Sequence, residues 1–114
     1  MLTNSSEGVL REKLGGAGKG HAMGFGVAIP DTNGAFTMAT RLELAPGATI
    51  SYHKHATNEE VYFIMSGEGL YTEDGETVTV KAGDIMLCRK GHSHSLDNTS
   101  NIPLVVCAAI ATRE

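Results

Sequence analysis

From Gly34 onward the chain alternates apolar and polar residues with a period of two. In Phe36-Thr37-Met38-Ala39-Thr40-Arg41-Leu42-Glu43-Leu44, the residues Phe36, Met38, Leu42 and Leu44 share one face, which predicts a half-buried strand. Arg41 falls on the opposite face and is not counted as a site residue. Ala45-Pro46-Gly47 then marks a turn. Further short strands are predicted over residues 49–55, 60–66, 69–72, 77–81, 84–88 and 104–112. Asp74-Gly75 between two of them is a hairpin signal, because both residues tolerate the positive φ such turns need. No helical segments separate the strands, so the crossovers of a parallel sheet are missing. The pattern predicts an antiparallel all-β barrel or sandwich.

The segment before Gly34 reads differently. Val9-Leu10-Arg11-Glu12-Lys13-Leu14 is the one stretch that predicts a helix, of one or two turns. Six glycines follow between Gly15 and Gly26. They lack the Gly-x-x-x-x-Gly-Lys-Ser/Thr spacing of a phosphate loop, so the expectation is an adaptable loop or edge segment. Residues 1–33 are read as an extension belonging to the same fold, and 34–114 as the barrel proper. Within the barrel, Glu60-Val61-Tyr62-Phe63-Ile64-Met65 is apolar on both faces: Tyr62 and Ile64 lie with Glu60, while Val61, Phe63 and Met65 lie opposite. A second apolar face needs cover, which predicts a homodimer.

At 114 residues the chain suits one domain. Nine basic against 13 acidic residues leave a net charge of −4, which argues against nucleic acid or anionic membrane as a partner. The longest apolar run, residues 104–111, is far below the roughly 20 residues of a spanning helix. The amino-terminal residues lack the basic and apolar regions of a signal peptide. Cys88 and Cys107 have no metal-type spacing and are read as reduced core thiols of a cytoplasmic protein.

The chemistry lies in the histidines at 21, 53, 55, 92 and 94. His53 and His55, two apart on a strand, project from one face. A short polar loop then returns Glu60 beside them. His94 lies on or near a later strand, and His92-Ser93-His94 offers the same spacing as His53 and His55. Three imidazoles and a carboxylate suit a divalent first-row transition ion with one or two positions left open. His21, alone, is read as a satisfied core histidine.

Gly47, His53, His55, Glu60 and Gly67 stand at the spacing of the first cupin motif, and Gly83, Arg89, Gly91, His94 and Asn98 resemble the second. Arg89 stands where that family has proline, a turn position that supplies no ligand. The chain thus resembles the small single-domain cupins, loosely those related to mannose-6-phosphate isomerase and oxalate decarboxylase. The resemblance implies an antiparallel jelly-roll β-barrel, often dimeric, with one divalent metal ion (Fe, Mn, Ni, Zn, Co or Cu) held by His53, His55, Glu60 and His94. It is the resemblance that chooses His94 over His92. Asn98 is assigned a turn or strand-end role.

The function implied is a small-molecule metalloenzyme acting on an oxygen-rich or anionic substrate, with dioxygenase or decarboxylase chemistry and isomerase or lyase chemistry both open. The alternative is a non-catalytic metal- or ligand-binding module. Tyr62, on the face of Glu60, is the inward candidate for proton transfer or substrate contact, with barrel filling as its other role.

Overall fold

The computed structural model describes residues 8–28 and 34–112. Ten strands run in chain order: β1 Val9–Glu12, β2 His21–Ala28, β3 Phe36–Leu44, β4 Thr49–Lys54, β5 Glu59–Ser66, β6 Glu68–Glu73, β7 Glu76–Lys81, β8 Ile85–Cys88, β9 Ser93–Asp97 and β10 Leu104–Ala111. They form a six-stranded sheet, ordered β1-β2-β3-β10-β5-β8, and a four-stranded sheet, ordered β4-β9-β6-β7. Every ladder is antiparallel. This is the all-β jelly-roll expected, built as two facing sheets and not as one closed ring of hydrogen bonds. No helix among the described residues is long and apolar enough to cross a membrane.

The core lies between the sheets and follows from strand alternation. The six-stranded sheet contributes Leu42, Leu44, Tyr62, Ile64, Val106 and Ala108, and the other sheet Ile50, Tyr71, Val80 and Leu96, all buried. Phe36, expected on the inner face of β3, is exposed. The β3–β10 register shifts between Ile110 and Ala111, so the alternation is broken at that end of the strand. The β6–β7 turn has positive φ at both Asp74 and Gly75, as its sequence demanded.

The amino-terminal segment departs from expectation. Val9–Glu12 is a strand paired with β2, and only Leu14–Gly16 forms a single 3-10 turn. Six residues followed by Gly-Gly cannot repay helix nucleation, whereas the open edge of β2 offers a full ladder. The glycine-rich stretch begins in the 3-10 turn, and from His21 onward it is a strand, β2, hydrogen-bonded on both sides. Its glycines have a packing role: a Cβ on Gly26 would sit 2.2 Å from the Ala39 carbonyl oxygen, and Gly26 has a φ of +150°. His21 is exposed on β2, not a core residue, since Ala22 takes the inward position beside it.

Both cysteines are free. Cys88 is fully buried, and burial pushes its thiol up to about 12, which leaves it unreactive. Cys107 is half-buried on the outer side of β10, so it is not a core thiol.

Asn98 locks the turn after β3 to the loop after β9. Its amide nitrogen donates to the carbonyl oxygens of Leu44, Ala45 and Ile102 at 3.1, 3.2 and 2.8 Å, and its oxygen accepts from the Ser100 amide and hydroxyl. The side chain is 1% exposed. Replacing it with alanine leaves buried carbonyls unpaired, so Asn98→Ala should lower unfolding stability by about 2–3 kcal/mol in urea titration. Asn98→Asp, which turns a carboxylate toward those carbonyls, should cost at least as much. A stability change near zero in both would contradict this role.

Candidate metal centre

The four residues that the resemblance assigns to the metal come from both sheets. His53 lies on β4 directly opposite His94 on β9. His55 follows the end of β4, and Glu60 enters from β5 in the facing sheet. The ligand-capable atoms of all four lie within 4.8 Å of one another.

A bulge makes this convergence possible. Ile50 pairs with Leu96, but His53 pairs with His94, so β4 carries one residue more than β9 across this interval. Plain alternation from the buried Ile50 would point Tyr52 and Lys54 inward and turn the histidines outward. The extra residue reverses the phase: Tyr52 is exposed, and His53 and His55 face the interior.

Each imidazole is oriented by an acceptor on its far nitrogen. His53 Nδ1–H donates to the Ser51 carbonyl oxygen, within the bulge, at 2.7 Å. His55 Nδ1–H donates to Asn58 Oδ1 at 2.6 Å, with the amide placed oxygen toward the ring. His94 Nδ1 meets the Tyr71 hydroxyl at 3.1 Å, and that hydroxyl gives its own proton to Glu73 Oε1 at 2.7 Å. Tyr71 therefore accepts from His94 Nδ1–H. In all three rings the proton sits on Nδ1 and the Nε2 lone pair points inward.

The inward atoms are crowded. His53 Nε2 lies 3.1 Å from His55 Nε2, which lies 2.9 Å from His94 Nε2. Glu60 Oε1 is 3.0 Å from His94 Nε2, 3.1 Å from His55 Nε2 and 4.0 Å from His53 Nε2. Neutral rings with Nδ1 protonated offer no hydrogen for any of these contacts, so four lone-pair-bearing atoms face one another in a buried site. A cation resolves that conflict. The ligand-capable atoms, all within 4.8 Å of one another, would hold one small divalent ion between them. The donor set thus fits a transition ion with positions to spare.

Around the cluster, Tyr62 is buried and stacks on the His94 ring, with centroids 4.8 Å apart and planes 14° from parallel. Burial, then the charge of and hydrogen bond to Glu60, holds its phenol well above its ordinary pKa, so it stays protonated. The 3-10 turn covers His53: Ser51 Oγ donates to the Leu14 carbonyl, and a Cβ on Gly15 would lie 2.6 Å from the Ser51 oxygen and 2.9 Å from His53 Nδ1. At a φ of +74°, only glycine suits this close approach. A cavity of about 420 Å³ opens beside His53, His55 and Glu60.

His92 stands outside this arrangement. It is exposed and pairs with Asp74, which also accepts the Ser93 amide. With Glu73 they form a second group of possible ligands, but the His92–Asp74 contact and the hydrogen bond from Tyr71 to Glu73 already occupy these three residues. The outer partners Ser51, Asn58, Tyr71 and Glu73, and the covering turn at Leu14–Gly15, were not legible as site residues. Only Asn58, three residues after His55, carried a local hint.

A family described as the cupin domain matches residues 40–110. An oxalate-binding protein of Thermotoga maritima is 41% identical over 70 residues, covering 61% of this chain and 58% of that protein. The chain spans about half the length of the curated relatives it matches. The crystal structure of a "predicted oxalate decarboxylase" from Thermotoga maritima superposes with a TM-score of 0.89 at 32% identity, covering 99% of this chain and 100% of that one. The structure of KdgF from a Halomonas species matches all of this chain and 96% of its own with a TM-score of 0.74, at 17% identity, a likeness of fold alone.

Without an ion, the cluster must share protons. The hydrogen bond to Glu60 raises the pKa of His55 above 6.5, whereas burial lowers that of His53. Burial raises the Glu60 carboxyl, but hydrogen bonds from His55 and His94 outweigh it and bring the pKa below 4.5. The His55–Glu60 pair therefore stabilises the metal-free fold fully between about pH 4.5 and 6.5. Its contribution is lost as pH rises through the raised His55 value or falls through the lowered Glu60 value. NMR titration of metal-free protein should find His55 deprotonating at higher pH than His53; the reverse order would contradict the geometry.

Proposed function

The chain belongs to the cupin domain family, and from that premise we propose that it is a small-molecule metalloenzyme holding one divalent transition ion per chain on His53, His55, Glu60 and His94. The observation that carries this reading is the set of four inward lone pairs, each imidazole oriented from behind by a hydrogen-bond acceptor. A divalent ion there supplies Lewis acidity and, after one carboxylate, a residual positive charge that favours anionic oxygen ligands. The ligand is a small anionic, oxygen-rich molecule, a reading supported by the name of the oxalate-binding relative. Tyr62, protonated beside Glu60, acts as hydrogen-bond donor at the inner wall of the cavity. The same relative's name favours a second reading, a binding module without turnover.

Metal analysis tests the centre. Purified protein should carry about one ion per chain; His53→Ala and His94→Ala should abolish stoichiometric uptake, while His21→Ala and His92→Ala should retain it. Verified removal of the ion should lower the melting temperature. Wild-type protein that takes up no Fe, Mn, Ni, Zn, Co or Cu overturns the proposal. Oxygen uptake by iron-loaded protein with a panel of small acids assigns oxidative chemistry; turnover without oxygen use assigns the isomerase, lyase or decarboxylase class. Binding without turnover assigns the module.

The same proposal includes a homodimer in the cytoplasm. Two free thiols suit a reducing compartment. The outer face of the six-stranded sheet carries a cross-strand row, Phe25, Arg41, Cys107, Phe63 and Ile85, given by the ladder registers. Phe63, Met65, Ile85 and Leu87 are 41–63% exposed, and the Arg41 guanidinium lies over the Phe25 ring at 4.2 Å. The exposed apolar patch on β5 and β8, bordered by Arg41, marks a protein interface. Sedimentation at micromolar concentration should give a dimer, and Phe63→Asp should give a folded monomer; a monomeric wild type overturns this part.

A further inference from the structure

The geometry points to a ligand with two unlike ends: a metal-chelating carboxylate head, as in a 2-oxo acid, and a hydrocarbon substituent, which oxalate lacks. This rests on the anion-binding metal centre proposed above. The cavity beside the cluster has a volume of about 420 Å³, within the range of small-molecule sites. One end of it is the His53, His55 and Glu60 side of the centre. Much of the remaining wall is hydrocarbon drawn from four elements, Leu14 of the 3-10 turn, Met38 and Leu42 of β3, Ile50 of β4 and Ile110 of β10, while Lys54, Thr57, Asn58 and Tyr62 make its polar part. Leu42 and Ile50 are buried core residues, and Leu14 and Met38 pack against that core, so the wall is set by the same contacts that hold the sheets together.

Among the described residues, Lys54 is the one cationic side chain lining the cavity, and it is exposed at the end of β4. A second carboxylate directed at the Leu14, Met38, Leu42, Ile50 and Ile110 side would lose its water against hydrocarbon, which costs free energy. A substituent of three or more carbons instead displaces water from apolar surface and gains with each methylene. The placement of Leu14 matters here, because the turn that Gly15 allows to approach His53 also brings this side chain over the cavity. The turn thus shapes both the covering of the metal ligand and the apolar end of the site.

Calorimetric titration of zinc-loaded protein, its zinc content first verified, tests this with oxalate, pyruvate, 2-oxobutanoate, 2-oxopentanoate and 2-oxohexanoate. Affinity should rise about three- to fourfold per added methylene, and the longest acid should bind more tightly than oxalate. In Leu14→Ala the gain per methylene should fall. A flat series, or oxalate binding more tightly than every 2-oxo acid, overturns this inference and leaves the metal centre standing. If no acid binds, oxalate included, the anion-binding reading fails and this inference fails with it. The wild-type series decides the matter whether or not the variant folds.

Discussion

Four lone-pair-bearing atoms within 4.8 Å of one another, on buried and half-buried residues, are an electrostatic problem before they are a binding site. Each imidazole has one proton to place, and a hydrogen-bond acceptor behind each ring takes it: the Ser51 carbonyl, the Asn58 amide oxygen and the Tyr71 hydroxyl. These three contacts are as important as the ligands, because without them a ring could turn or shift its proton and pair with Glu60 directly. In the metal-free state the cluster can relieve itself only by holding an additional proton. The opposite pKa shifts of His53 and His55 fit this: His55, hydrogen-bonded to the carboxylate, holds an added proton to higher pH, and His53, 4.0 Å from it, is lowered by burial.

The two sheets divide the task. The four-stranded sheet and the loop beyond β4 carry the three imidazoles, while the six-stranded sheet carries Glu60, Tyr62 and most of the apolar wall. The centre therefore bridges the sheet interface, and any ion held there ties the two layers together as well as supplying chemistry. Tyr62 is packed into both roles at once, stacked on His94 and in contact with the carboxylate. The 3-10 turn adds a third layer over His53, secured by hydrogen bonds between Leu14, Ala17 and Ser51.

The inner and outer faces of the six-stranded sheet are both apolar, for different reasons. The inner face fills the core and walls the cavity; on the outer face, Arg41 lies over Phe25, while Phe63 and Met65 of β5 and Ile85 and Leu87 of β8 stand exposed. Strand alternation already separates these two sets along β5, with Glu60, Tyr62 and Ile64 buried and Phe63 and Met65 exposed. An apolar residue at such an outer position gains nothing from the fold of one chain.

Local pattern alone determined a good deal. Period-two alternation, the Asp74-Gly75 turn and the absence of helical spacing were sufficient for an antiparallel all-β fold, because strand periodicity and hairpin geometry depend on neighbouring residues. The proximity of His53, His55 and Glu60 was legible for the same reason, with few residues between them. Tertiary structure decided the rest. Val9–Glu12 became a strand because β2 offered it an edge, and glycine-rich β2 became a strand because its neighbours need close approach at Gly26. His94 rather than His92 faces the centre because of where β9 pairs with β4, and the one-residue bulge that aligns them has no local signature. Tyr71 and Leu14 acquired their places at the site through contacts between segments far apart in sequence, whereas Ser51 and Asn58 meet their histidines two and three residues away.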